Sequence, residues 1–219
     1  LVDCEDLAYG QKHDLRRADA QSRVLTSLVN YDFVFMSPPC KTRCVQFVPP
    51  LCTKASVWGR PGLPSHHATL VADANILYKF CNSVIKACHT IGVKWAIESA
   101  AGREDVLLDG TPNPAEWAQY ADNAFLWDAI YDELDPVQYS FAYVVWAQCP
   151  FGAPWQKYTG TLSDAVSGPA FKRGFKHAVC SCSSHKKVLR GYDADTGRAN
   201  TSIAESYWPG VAENLAITI

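Results

Sequence analysis

The stretch Tyr31 to Cys40, YDFVFMSPPC, constrains the chain more than any other. The apolar run Phe33-Val34-Phe35-Met36 is entered after Asp32 and stopped by Ser37-Pro38-Pro39-Cys40. A short continuous apolar run bounded in this way reads as a strand buried on both faces. Neither proline can donate a ladder hydrogen bond, so the strand must end there. A cysteine then stands at the carboxyl end of a central strand, the edge where open α/β sheets bind ligands. Two readings of Cys40 stand side by side, a nucleophile held by two stiff residues and an inert buried thiol.

The strands that follow extend the pattern. A helical repeat through Val24, Leu25 and Leu28 precedes the Phe33 strand, and Ala68 to His89 is the clearest helix. Its core face is Leu70, Ala74, Leu77, Cys81, Val84, Ile85 and Cys88. Val93 to Ile97 reads as a second core strand ending in Glu98-Ser99-Ala100-Ala101-Gly102, and Tyr139 to Cys149 as a third. Tyr158 to Leu162 resumes a strand, a helix is expected near Pro114 to Ala121, and Pro209 opens a last one through Val211 and Leu215. This alternation predicts an α/β fold with a mainly parallel sheet. With 219 residues, the chain can build one domain with a substantial core.

Three groups of residues fall where chemistry is expected. Glu98 is a carboxylate at a strand's carboxyl end, satisfied structurally or facing a ligand. The irregular stretch Thr42 to His67 carries Arg43, Lys54, Arg60 and Trp58 and follows Lys41. Such a loop suits a nucleic-acid strand or is a solvated loop with one anchoring tryptophan. From Ser167 to Lys187 the chain turns basic, with Lys172, Arg173, Lys176, Lys186 and Lys187, and contains Cys180, Cys182 and His185. Those three could supply three zinc ligands, with no obvious fourth nearby. The net charge of −2 provides no global attraction for nucleic acid, so such binding needs a local patch. Nine cysteines, an odd and unevenly spaced set, argue for an intracellular protein with free, catalytic or metal-bound thiols. A nuclear or host-cell location is expected for a eukaryotic or viral source, and a cytoplasmic one otherwise.

The order of these features resembles the cytosine-C5 DNA methyltransferase family, in particular its compact viral and mobile-element members. Pro39-Cys40 corresponds to the family's nucleophile motif, Glu98-Ser99-Ala100 to its Glu-Asn-Val motif, and Trp155-Gln156-Lys157 to its Gln-x-Arg motif. The tail from Tyr207 to Asn214 is similar to its last motif. Ser99 stands in place of asparagine, Lys41 in place of glutamine and Lys157 in place of arginine. The resemblance implies a Rossmann-like methyltransferase fold acting on DNA, with RNA a weaker alternative, and S-adenosylmethionine as the methyl donor. It implies that Cys40 attacks the base, that Glu98 holds it and that Lys157 stands near base and thiol. Asp3 would meet the donor's ribose and Asp19 its adenine, with Ser37 and Pro38 beside them. Lys41 or Arg43 is expected to lower the Cys40 pKa. The expected division is a catalytic core over 1–157, a short basic Cys/His insertion over 158–187 and a returning segment over 188–219. The chain starts at Leu1 and lacks the family's opening glycine-rich cofactor loop, so an incomplete core is expected. The alternative function is a catalytically inactive methyltransferase-like module that binds nucleic acid or acts as a scaffold; a zinc-stabilised binding domain is a third.

Overall fold

Why these segments take their shapes is visible in a computed structural model that describes residues 5, 9–44, 47–101, 122–155, 157–187, 189 and 208–218. Among the described residues four strands form one sheet: β1 (Phe33–Met36), β2 (Lys94–Ala100), β3 (Ala142–Ala147) and β4 (Tyr158–Ser163). Six helices accompany them among the described residues: α1 (Ala18–Ser27), α2 (Ser65–Ile91), α3 (Leu126–Glu133), α4 (Pro136–Tyr139), α5 (Gly168–Gly174) and α6 (Pro209–Thr218).

The sheet order is β1-β2-β4-β3. β1 lies parallel to β2, with Val34 opposite Trp95 and Met36 opposite Ile97. β4 is antiparallel to both its neighbours, with Glu98 opposite Thr161 and Trp146 opposite Thr159. The fold is therefore mixed α/β, and the expectation of a mainly parallel sheet is corrected. β1, β2 and β3 do share one direction, but β4 enters between the last two, so among the described residues one of three ladders is parallel. The short turn from β3 to β4 permits this, since antiparallel neighbours need no crossover. The consequence for function is that β1, β2 and β3 all end on one edge, and the turn into β4 lies there too.

Both faces of the sheet are covered, which is why β2 is buried from Trp95 through Ser99. On one face Tyr78, Cys81, Val84 and Ile85 of α2 and Leu126, Trp127 and Ile130 of α3 pack on Trp95, Ile97 and Leu162. On the other, Phe171 and Phe175 with Val211 and Leu215 of α6 cover Ala96, Val144 and Trp146. Each such side chain contributes roughly 1.5–3 kcal/mol when fully buried. α2 ends where Gly92 adopts φ 77°, a left-handed cap whose amide bonds the Cys88 carbonyl. Gly160 in β4 admits no side chain, because a Cβ there would meet the Tyr143 hydroxyl and come within 2.7 Å of the Trp127 ring.

The helix expected over Ala68 to His89 is found and runs longer, but its face is shifted. Leu70 is exposed, while Val71, Tyr78 and Phe80 are buried. The expected helix at Pro114 to Ala121 lies outside the described residues, whereas α3 and α4 follow directly after it. Phe125 and Trp127 are buried, as anchoring aromatics should be. Tyr158–Ser163, counted in the sequence with the short basic segment, lies between β2 and β3. Among the described residues no helix is long and apolar enough to cross a membrane.

Candidate functional site

Cys40 follows β1 by four residues because the two prolines carry the chain straight off the ladder. The Cys40 carbonyl then accepts from Arg43 N at 2.9 Å, closing a single 3₁₀ turn over Lys41–Arg43. Tyr78, buried on α2, donates its hydroxyl to the Pro39 carbonyl and lies 3.2 Å from Thr42 Oγ1. One phenol thus pins both sides of Cys40. On β2, Glu98 is 5% exposed and accepts from Ser37 Oγ at 2.8 Å. The parallel register makes this contact inevitable, since Met36 pairs with Ile97 and each strand's next residue falls alongside.

Four electrostatic influences meet at the Cys40 sulfur besides its burial. Burial is the largest and pushes the thiol pKa up. Lys157 pulls it down, Glu98 raises it, and the backbone amides of Cys40 and Ala100 favour the thiolate. The structure thus brings Cys40, Glu98 and Lys157 together from three stretches of sequence, with Ser37 bonded to Glu98. It corrects the source of positive charge. Lys41 is exposed, and Arg43 is 1% exposed, turned into the protein with its guanidinium 4.8 Å from the Tyr78 ring and 5.2 Å from the Trp58 ring. Arg43 Nη2 donates to Asn75 Oδ1 at 3.1 Å, while Nε and Nη1 find no partner among the described residues. Arg43 and Trp58 are therefore held in internal contacts, and Trp58 Nε1 donates to Asp132 Oδ2 at 2.7 Å. Burial dominates at Cys40, so the side chain rests as a thiol.

Of the residues assigned to the methyl donor, Asp19, Ser37 and Pro38 fall among the described residues. Asp3 lies outside the described residues. Asp19 is exposed and gripped by Arg17 through two contacts of 3.0 Å, which hold its carboxyl below the usual range. Ser37 is bonded to Glu98, and Pro38 sits half-buried beside it at the end of β1.

A second cluster forms along the edge where β3 ends. Cys180, Cys182 and His185 are joined there by Cys149, and the four ligand atoms lie within 4.8 Å of one another. These four could hold a metal ion. Sequence spacing hid Cys149, which precedes Cys180 by a strand and a helix; the signal available was its position at the carboxyl end of a predicted strand. All four side chains are part-exposed or exposed, and the three cysteines are free thiols. No protein-family model, curated protein or solved structure matches the chain.

Proposed function

We propose that this chain transfers a methyl group from S-adenosylmethionine to C5 of cytosine in DNA, through a covalent adduct of Cys40. The observation that carries this reading is the convergence of Cys40, Glu98 and Lys157 at one edge of the sheet. Packing alone gives no reason to gather a thiol, a carboxylate and an ammonium there.

Cytosine C5 is a weak nucleophile, and addition of sulfur at C6 turns it into an enamine. In that step Cys40 gives up its proton, Sγ bonds to C6, and the C5=C6 electron pair moves toward C5 as N3 takes up a proton, which leaves the enamine neutral. Glu98 faces N3 and the exocyclic amine, where charge develops, and Ser37 fixes the carboxylate that does so. Lys157 is the cation that favours the thiolate, which burial otherwise disfavours. S-adenosylmethionine, when bound, supplies the electrophilic methyl group. Afterwards the C5 proton leaves to a base, the C5–H electron pair restores C5=C6, and the Sγ–C6 pair departs with sulfur, which frees Cys40 as a thiolate. The target base must leave its stack to reach this edge, and the exposed Lys172, Arg173 and Lys176 are local cations for the phosphate backbone. Zinc, named in the sequence from Cys180, Cys182 and His185, is in this reading the ion of the Cys/His tetrad.

Asp19, already held by Arg17, favours the second reading, an inactive methyltransferase-like module that binds nucleic acid. Covalent trapping separates the two. The protein is incubated with S-adenosylmethionine and a duplex carrying 5-fluorocytosine, whose fluorine blocks the final elimination. The expected result is a denaturation-resistant complex that Cys40→Ala abolishes and Glu98→Gln slows by about 10²–10³-fold. A complex that persists in Cys40→Ala would remove Cys40 from the chemistry. No complex across duplexes of varied sequence would favour the inactive module.

A further inference from the structure

Resting on the assignment of zinc to the tetrad, we infer that Cys149, Cys180, Cys182 and His185 form one closed, four-ligand zinc centre. This centre clasps the basic segment after α5 to the turn after β3. The donor geometry fits. The four ligand atoms lie within 4.8 Å of one another, with Cys180 Sγ 3.4 Å from His185 Nε2. Zn–S bonds of about 2.3 Å and a Zn–N bond of about 2.0 Å put tetrahedral ligand atoms roughly 3.5–3.8 Å apart. A central ion therefore needs only a small contraction. Three thiolates and an imidazole are soft donors that suit zinc, and among the described residues no carboxylate joins them to invite calcium or magnesium. Four protein ligands leave no position for a water, which makes the centre structural and not hydrolytic.

The backbone brings the same two pieces of chain together. Ala147 N donates to the Ala178 carbonyl at 2.7 Å, and Lys187 N donates to the Pro154 carbonyl at 2.9 Å. These two bonds bracket the ligands at 180–185 and tie both ends of the segment to the strand end and turn that hold Cys149. Between them the chain has no helix or strand of its own. Ser181, Cys182, Ser183 and Ser184 are all exposed, so apolar burial does not explain why the Cys182 sulfur turns toward two other thiols. A shared ion does. The clasp also reaches the first site: the turn that begins beside Cys149 ends at Lys157, whose carbonyl accepts from Gln148 N at 3.0 Å. The zinc centre would therefore hold the cation that acts on Cys40, together with Lys186 and Lys187 on the same segment.

The test needs no enzymatic activity. The chain is purified under reducing conditions, its zinc is measured by mass spectrometry, and the metal is exchanged for cobalt. One zinc per chain is expected, with the visible d–d bands of tetrahedral cobalt and sulfur-to-cobalt charge transfer. Cys149→Ser, Cys182→Ser and His185→Ala should each lose the stoichiometric metal, while Cys44→Ser keeps it. Retention of the full stoichiometry and cobalt spectrum by Cys149→Ser would reduce the centre to three ligands and overturn the inference. A metal-free chain, with free thiols or with a disulfide in its intact mass, would overturn zinc itself. Chelation of the wild-type protein gives a readout that does not depend on how a variant folds. Trypsin should then cut after Lys186 and Lys187 about tenfold faster, with cleavage in α5 little changed, because local opening of the segment becomes cheap. Unchanged cleavage would refute the clasp. Failure here leaves the Cys40 reading standing, and failure of trapping leaves the zinc centre standing.

Discussion

Burial and charge pull Cys40 in opposite directions, and their order decides its resting state. The low-dielectric surroundings favour the neutral thiol, and Glu98 adds to that; Lys157 and two backbone amides oppose it without prevailing. A thiol poised this way stays protonated until something changes its surroundings, which protects it from casual oxidation or alkylation. The sign of the Lys157 effect is testable. Removing a cation from beside the sulfur destabilises the thiolate, so Lys157→Ala should move the pH profile of Cys40 alkylation to higher pH. Peptide mass spectrometry after timed iodoacetamide pulses at stepped pH would measure this. A profile that stays put would mean that Lys157 does not act on Cys40. Lys41→Ala should move the profile little, since Lys41 is exposed and solvent screens its charge.

At the scale of elements, α2 does two jobs. It supplies the apolar wall behind β2, and through Tyr78 it fixes the loop that carries Cys40. The phenol is 1% exposed, and burial pushes its pKa up, with Cys40 and Cys52 adding to the rise and Thr42 and Arg43 opposing it. It is therefore a neutral donor across the whole working range. Tyr78→Phe keeps the packing but strands the Pro39 carbonyl and the Thr42 hydroxyl. We expect it to cost about 1–3 kcal/mol in urea unfolding, the range for buried polar groups left unpaired. Cys40 alkylation should quicken in the folded state as the loop loosens. Unaltered stability and alkylation would show that Pro38 and Pro39 hold the loop alone.

Across the whole molecule, Asp164 links the sheet to the layer of α5. Its carboxylate accepts from Trp95 N at 2.8 Å, Val166 N at 2.9 Å, and Ser167 N and Oγ at 2.8 Å each. One side chain thus joins the start of β2 to the entry of α5, while β4 carries it between the two packed faces. Asp164→Ala should lower stability by roughly 2–3 kcal/mol, since hydrogen bonds to a charged group each contribute about 1.5–3 kcal/mol and are not additive. The loss should appear as one cooperative unfolding transition in calorimetry. A separate early transition would show that the α5 layer unfolds on its own.

What the amino-acid order determined by itself was local. Apolar runs stopped by proline or small residues marked β1 and β2, and a 3.6-residue repeat marked α2, because hydrophobic period and chain-breaking residues act over a few positions. Those signals sufficed to put Cys40 just past the end of β1, whereas Glu98, expected just past a strand ending at Ile97, lies inside β2, which runs on to Ala100. Tertiary structure decided everything that depends on which strand lies beside which. It inserted β4 antiparallel, which the short β3–β4 turn allows and no periodicity announces. It chose Lys157 over Lys41 and Arg43 as the charge beside Cys40, because sequence neighbours of a turn residue point in different directions. It turned Arg43 inward onto Trp58 and Tyr78, where aromatic faces accept a cation. It also brought Cys149 to Cys180, Cys182 and His185, a meeting across 31 residues that only the fold can arrange.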